Sequence, residues 1–91
     1  MSDTDLLEKS FRDNKDLFVQ AEYLILTNCE NYNKNDWTQY LDGINKIKSV
    51  LSITKFTLIT ENIVTIGEFD FFYSKVEKLQ KLIRRNLAAF N

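Results

Sequence analysis

Apolar residues recur at intervals of three and four along three stretches of the chain. Such spacing places side chains on one face of an α-helix, which turns once every 3.6 residues. The chain therefore predicts three amphipathic helices, at about residues 3–31, 36–58 and 66–90. Their expected core positions are Leu7, Phe11, Phe18, Ala21 and Ile25; Trp37, Leu41, Ile44, Ile47, Leu51 and Leu58; and Phe69, Phe72, Tyr73, Val76, Leu79, Ile83, Leu87 and Phe90, with Leu17 and Leu24 widening the first stripe.

The middle of the chain carries a competing signal. Ten of the residues in 49–66 are Val, Ile or Thr, which favour strands over helices. An alternative is therefore an α+β fold with a small hairpin near residues 53–66, turning at residues 60–62. The helical interpretation instead continues the second helix to about residue 58, followed by an irregular turn.

Polar residues mark the expected helix starts. A break at residues 31–35 precedes the second helix, for which Asn35 or Asp36 is the predicted N-cap. Thr65 and Glu68 have the spacing of a capping box, in which each side chain accepts from the other's free backbone N–H. The third helix is thus predicted to begin directly after Thr65.

The chain contains no proline and two glycines, so little interrupts its helices. Three helices of similar length joined by short connections predict one all-α domain over residues 1–91, an antiparallel up-down-up bundle. An extended helical hairpin that completes its core with a partner fits the same pattern. With 91 residues the core is small, and pairing often stabilises domains of this size.

Few residues suggest catalysis. The chain has no histidine, the commonest general base and a frequent metal ligand. Its one cysteine, Cys29, lies near the end of an acidic helix, where a thiolate is disfavoured. Carboxylates are scattered, and no nucleotide-binding or metal-binding motif occurs. We therefore expect neither an enzyme nor a bound cofactor or metal.

Charge is distributed unevenly although the net charge is only −1. Residues 1–31 carry seven acidic and three basic side chains, whereas the third helix is basic towards its C-terminal end. The two helices are expected to attract each other or to orient a partner. The basic cluster also suggests an alternative function, a nucleic-acid-binding regulator. Its candidate contacts are Lys78, Lys81, Arg84 and Arg85.

Several apolar side chains lie outside the core stripes, more than a small bundle is expected to bury. Exposed apolar patches with aromatic and arginine residues are typical of binding sites. The predicted partner-binding residues are Phe71, Leu82, Lys75, Lys78, Arg85, Val19 and Tyr23. Self-pairing is the commonest use of such a patch.

The expected function is accordingly that of a small protein–protein interaction module, and the expected assembly is a homo-oligomer. An adaptor, an assembly or secretion chaperone, or an inhibitor of a larger complex, such as a viral protein acting on a host, fits equally. The single cysteine and the absence of a leader or a long apolar run predict a cytoplasmic or host-cytoplasmic location without a membrane span.

Overall fold

The computed structural model describes residues 3–90 and shows three α-helices in an up-down-up arrangement. They are α1 (Asp3–Asn28), α2 (Lys34–Thr60) and α3 (Ile66–Ala88), and a single 3-10 turn, Cys29–Asn31, joins α1 to α2. The helices form an elongated bundle of 44 × 22 × 19 Å. The predicted all-α bundle is confirmed, with each boundary within three residues of its expected position.

The hairpin alternative is wrong. Residues 53–60 belong to α2, and the structure contains no strand between residues 3 and 90. Leu51 and Leu58 are both buried on the helical stripe, so burial outweighs the strand preference of their neighbours. The hydroxyl of Thr54 donates to the Val50 carbonyl at 2.7 Å, one turn earlier, which satisfies that side chain within the helix.

The N-terminal ends of α2 and α3 are stabilised by polar N-cap side chains. Asn33, rather than the predicted Asn35 or Asp36, is the N-cap of α2, and it forms a capping box with Asp36. Asp36 N–H donates to Asn33 Oδ1 at 2.8 Å, and Asn33 N–H donates to Asp36 Oδ2 at 3.0 Å. Thr65 is the N-cap of α3, as predicted, and accepts from Glu68 N–H at 3.1 Å.

The core lies between the three helical stripes. Its fully buried side chains include Phe18, Trp37, Phe69 and Val76. Three predicted core positions are wrong, because Leu17, Leu24 and Phe90 are exposed. Leu17 and Leu24 lie towards the edge of the stripe on α1, and Phe90 follows the end of α3.

The helices pack unequally. Contact is most extensive between α2 and α3 and sparsest between α1 and α3. The buried Gln80 of α3 bridges the first pair: its amide nitrogen donates to Asn45 Oδ1 at 2.7 Å, and its oxygen accepts from Lys48 Nζ at 3.2 Å. α1 and α3 run parallel and leave a groove between them.

Candidate protein-binding face

The groove between α1 and α3 is lined by residues from both helices. Its volume is about 270 Å³, and its lining comprises Glu22 and Leu26 from α1 and Lys75, Lys78, Leu79 and Leu82 from α3. Val19 and Tyr23 flank the α1 side by helical spacing, and Phe71 and Arg85 extend the α3 side. We call this surface the α1/α3 face.

The axial register of α1 against α3 is fixed by contacts between residues that precede the groove in both helices. Lys15 Nζ lies 3.7 Å from Glu68 Oε1, and the ring of Phe18 packs edge-on against Phe72 at 5.4 Å. Leu26 lies further along, opposite Leu79 and Leu82. Because both helices rise by the same distance per residue, this register holds along their length and places Val19 near the level of Phe71.

Three of the seven predicted binding residues line the groove. Val19, Tyr23 and Phe71 are exposed, at 56%, 68% and 66% of their full surface, respectively. Leu82 is only partly buried but packs against the core, so it is a groove-lining residue rather than a free one. Lys75, Lys78 and Leu82 thus line the groove itself, and the other four predicted residues lie one helical turn from a lining residue on the same helix.

Several charges on this face have no ion-pair partner among the described residues. The α1–α3 ion pair, Lys15–Glu68, has its base on α1 and its acid on α3, the reverse of the attraction that the charge distribution suggests. Among residues 3–90, no ion pair within 4.0 Å involves Glu22, Lys78 or Arg85. Lys75 Nζ instead lies 4.7 Å from the centre of the Phe71 ring, a cation–π contact.

The structure also exposes apolar residues that the sequence pattern did not single out. Ile53 and Phe56, on the outer side of α2, are 78% and 77% exposed. Leu26, which helical periodicity also places outside the core stripe of α1, completes the α1 side of the groove. Ile53 and Phe56 lie in the segment with strand preference. They are three residues apart and lie opposite the buried Leu51 and Leu58 on a helix, and this spacing is the sequence signal that could have indicated their exposure.

The chain's one thiol lies in the connection between α1 and α2. Cys29 is exposed in the 3-10 turn. Residues 3–90 contain no group of three or more side chains placed to hold a metal ion. None of the helices over this range is long and apolar enough to cross a membrane.

Aromatic side chains close the α1–α2 end of the bundle. Tyr32 donates its hydroxyl to the Leu24 carbonyl at 2.9 Å and lies 3.3 Å from the Tyr40 hydroxyl. The hydrogen bond with Tyr40, followed by burial, raises the pKa of Tyr32 to about 12. A phenol held protonated at neutral pH serves here as a structural donor.

Comparison with known proteins gives no match: no family model, curated protein or solved structure is similar to this chain.

Proposed function

We propose that the protein is a small interaction module that binds another protein through the α1/α3 face. The observation that carries this proposal is the grouping of exposed apolar side chains and unpaired charges around one groove. Tyr23 and Phe71 flank that groove, and Lys78 lines it. Aromatic anchors beside charges that lack an internal partner are typical of protein interfaces.

The role of such a module follows from its chemistry. A groove between two helices accepts an apolar stripe of a partner, and the surrounding lysines select acidic neighbours of that stripe. An adaptor, an assembly or secretion chaperone and an inhibitor of a larger complex all act in this way. The proposed location is the cytoplasm, or the host cytoplasm for a viral protein.

Photo-crosslinking in producing cells tests the proposal directly. We would replace Phe71 with the photoreactive residue benzoylphenylalanine and, as a matched control, place the same residue at Phe56. Both positions are exposed phenylalanines on helices, but Phe56 lies on α2, away from the groove. We expect discrete protein adducts from position 71 and none of the same mass from position 56. Absence of adducts from position 71, or identical adducts from both, would overturn the proposal.

A second candidate function is nucleic-acid binding by the outer side of α3. The acids of α3 are engaged elsewhere, because Asp70 lies 3.9 Å from Lys55 and Glu77 lies 3.7 Å from Lys48 of α2. The cations near the C-terminal end remain exposed: Lys78, Lys81, Arg84 and Arg85. Such a cluster binds phosphates with steep salt dependence.

The two functions share two cations and differ in the other two. Lys81 and Arg84 lie off the α1/α3 face, whereas Lys78 and Arg85 lie on it. If nucleic acid is the ligand, Lys81→Glu with Arg84→Glu should abolish binding to DNA or RNA at low salt. No binding by the wild-type protein at low salt would remove this candidate and leave the protein-binding proposal intact.

A further inference from the structure

The α1/α3 face is complementary to itself in charge. Between residues 16 and 33 the chain has no lysine or arginine; Glu22 lines the groove, and Glu30 follows in the 3-10 turn at the end of α1. The α3 side carries Lys75, Lys78 and Arg85. One edge of the face is therefore acidic and the other basic, over the same length of the bundle.

We infer that the partner on this face is a second copy of the chain, related by a two-fold axis parallel to the helices. This inference rests on the proposed function and names its partner. Rotation about such an axis places α1 of one copy against α3 of the other, and the reverse. The four helices then form a parallel arrangement in which the two acidic helices, like the two basic ones, occupy diagonal corners.

The register within one copy determines which residues meet. Rotation about an axis along the helices preserves the level of each residue, so the levels set by Lys15–Glu68 and Phe18–Phe72 hold between copies as well. Val19 then approaches the partner's Phe71, and Leu26 approaches the partner's Leu82. The α1 side chains of one copy then pack between successive side chains of the partner's α3, as ridges-into-grooves packing of helices requires.

The charges follow the same register. Glu22 faces the level of Lys75 and Lys78 in the second copy, and Glu30 lies near Arg85. Each pair occurs twice because of the symmetry. Unlike charges thus meet at both edges of the interface, where they favour association and fix its orientation.

The other possible two-fold axis is disfavoured by the same charges. An axis perpendicular to the helices would place α1 against α1 and α3 against α3. Glu22 and Glu30 would then face acids, and Lys78 and Arg85 would face bases. Like charges opposite each other oppose association, so the parallel dimer is selected.

The size of the face predicts a reversible dimer. The α3 side of the face, from Phe71 to Arg85, is about 21 Å long at 1.5 Å per residue, and two helices side by side are about 20 Å wide. The resulting footprint of about 420 Å² per copy is below the roughly 800 Å² of a standard interface. We therefore expect dimerisation that depends on concentration and weakens with salt.

Sedimentation equilibrium of the purified chain, from micromolar to millimolar concentration, tests the inference. We expect a monomer–dimer equilibrium in the wild type. A monomer throughout this range would overturn the inference, whereas the crosslinks from position 71 in cells would still report a different protein partner. The two failures are therefore distinguishable.

Charge reversal tests the geometry. Glu22→Lys with Glu30→Lys should raise the dimer dissociation constant about tenfold or more, and so should Lys78→Glu with Arg85→Glu. All four substitutions in one chain should restore association, because α1 and α3 then exchange their charges. Circular dichroism would verify that each variant remains helical, and Phe56→Asp, on the opposite side of the bundle, should leave the constant unchanged.

The outcome for the fourfold variant decides between the two axes. In the perpendicular arrangement like charges would still face one another, so association would not be restored relative to the double variants. Failure of restoration in a helical fourfold variant would overturn the parallel dimer. A spin label at Thr4→Cys in a Cys29→Ser background adds a distance: the labels lie at the same end in the parallel dimer and about 60 Å apart in an antiparallel one.

Discussion

Gly43 is a glycine that the backbone does not require. It lies within α2 without a positive φ, and a Cβ added there would meet nothing within 4 Å. The residue lines an open groove between α1 and α2 together with Leu17 and Ala21. Its missing side chain therefore leaves space at the surface rather than permitting a close helix contact.

Gly43→Ala should increase the free energy of unfolding by about 0.5–1 kcal/mol, because alanine loses less chain entropy than glycine inside a helix. Chemical denaturation measures the change. Gly67→Ala is the matched control: it also has open space but lies in the first turn of α3, where we expect a smaller gain. Equal or reduced stability of Gly43→Ala would show that the glycine is needed in the fold.

At the scale of elements, α2 ends in a turn at residues 61–63, whereas the hairpin alternative expects a turn at residues 60–62 between two strands. Asn62 has a φ of 57°, in the left-handed region. Its N–H donates to the Ile59 carbonyl at 3.1 Å, and Ile63 N–H donates to the Leu58 carbonyl at 2.9 Å. These two bonds form a Schellman motif, which ends a helix and satisfies its last carbonyls.

We expect the stability of the C-terminal end of α2 to depend on Asn62. Asn62→Ala is expected to lower the free energy of unfolding by about 1 kcal/mol, since alanine lacks the short polar side chain whose local hydrogen bonding lets asparagine adopt the left-handed conformation. Asn62→Gly should retain or raise stability because glycine adopts this conformation freely. Thermal or urea unfolding of both variants measures the difference, and equal effects would contradict the role assigned to the backbone conformation.

At the scale of the whole molecule, the bundle is a tight helix pair with a third helix laid against it. α2 and α3 share the Gln80 hydrogen bonds and two ion pairs, Lys48–Glu77 and Lys55–Asp70. α1 is held mainly by buried Phe11, Phe18 and Ile25. The sparse contact between α1 and α3 leaves the α1/α3 face open.

This asymmetry predicts unequal local stability. Amide hydrogens in the middle of α1 should exchange faster than those in the middle of α2 and α3, because α1 can open without separating the other two helices. Native-state hydrogen exchange measures this, and comparison of mid-helix amides avoids the fraying of helix ends. Equal protection in all three helices would indicate that the bundle opens as one unit.

The candidate site could be predicted in part from the chain alone. Helical periodicity excludes Val19, Tyr23 and Phe71 from the core stripes, and all three are exposed. Leu82 could not be assigned in the same way, because its burial depends on how closely α1 approaches α3. The exposure of Ile53 and Phe56 was not predicted, because the strand preference of their segment gives no information about the face of a helix on which they lie.

Local pattern determined the three helices, the Thr65 cap and most of the core, because helical periodicity and capping act within a few residues. Tertiary structure decided that residues 53–60 are helical, since burial of Leu51 and Leu58 against the other helices outweighs intrinsic preference. It also decided that the unpaired charges of α1 and α3 border one groove. That arrangement depends on the register between two helices far apart in the chain, which no local pattern encodes.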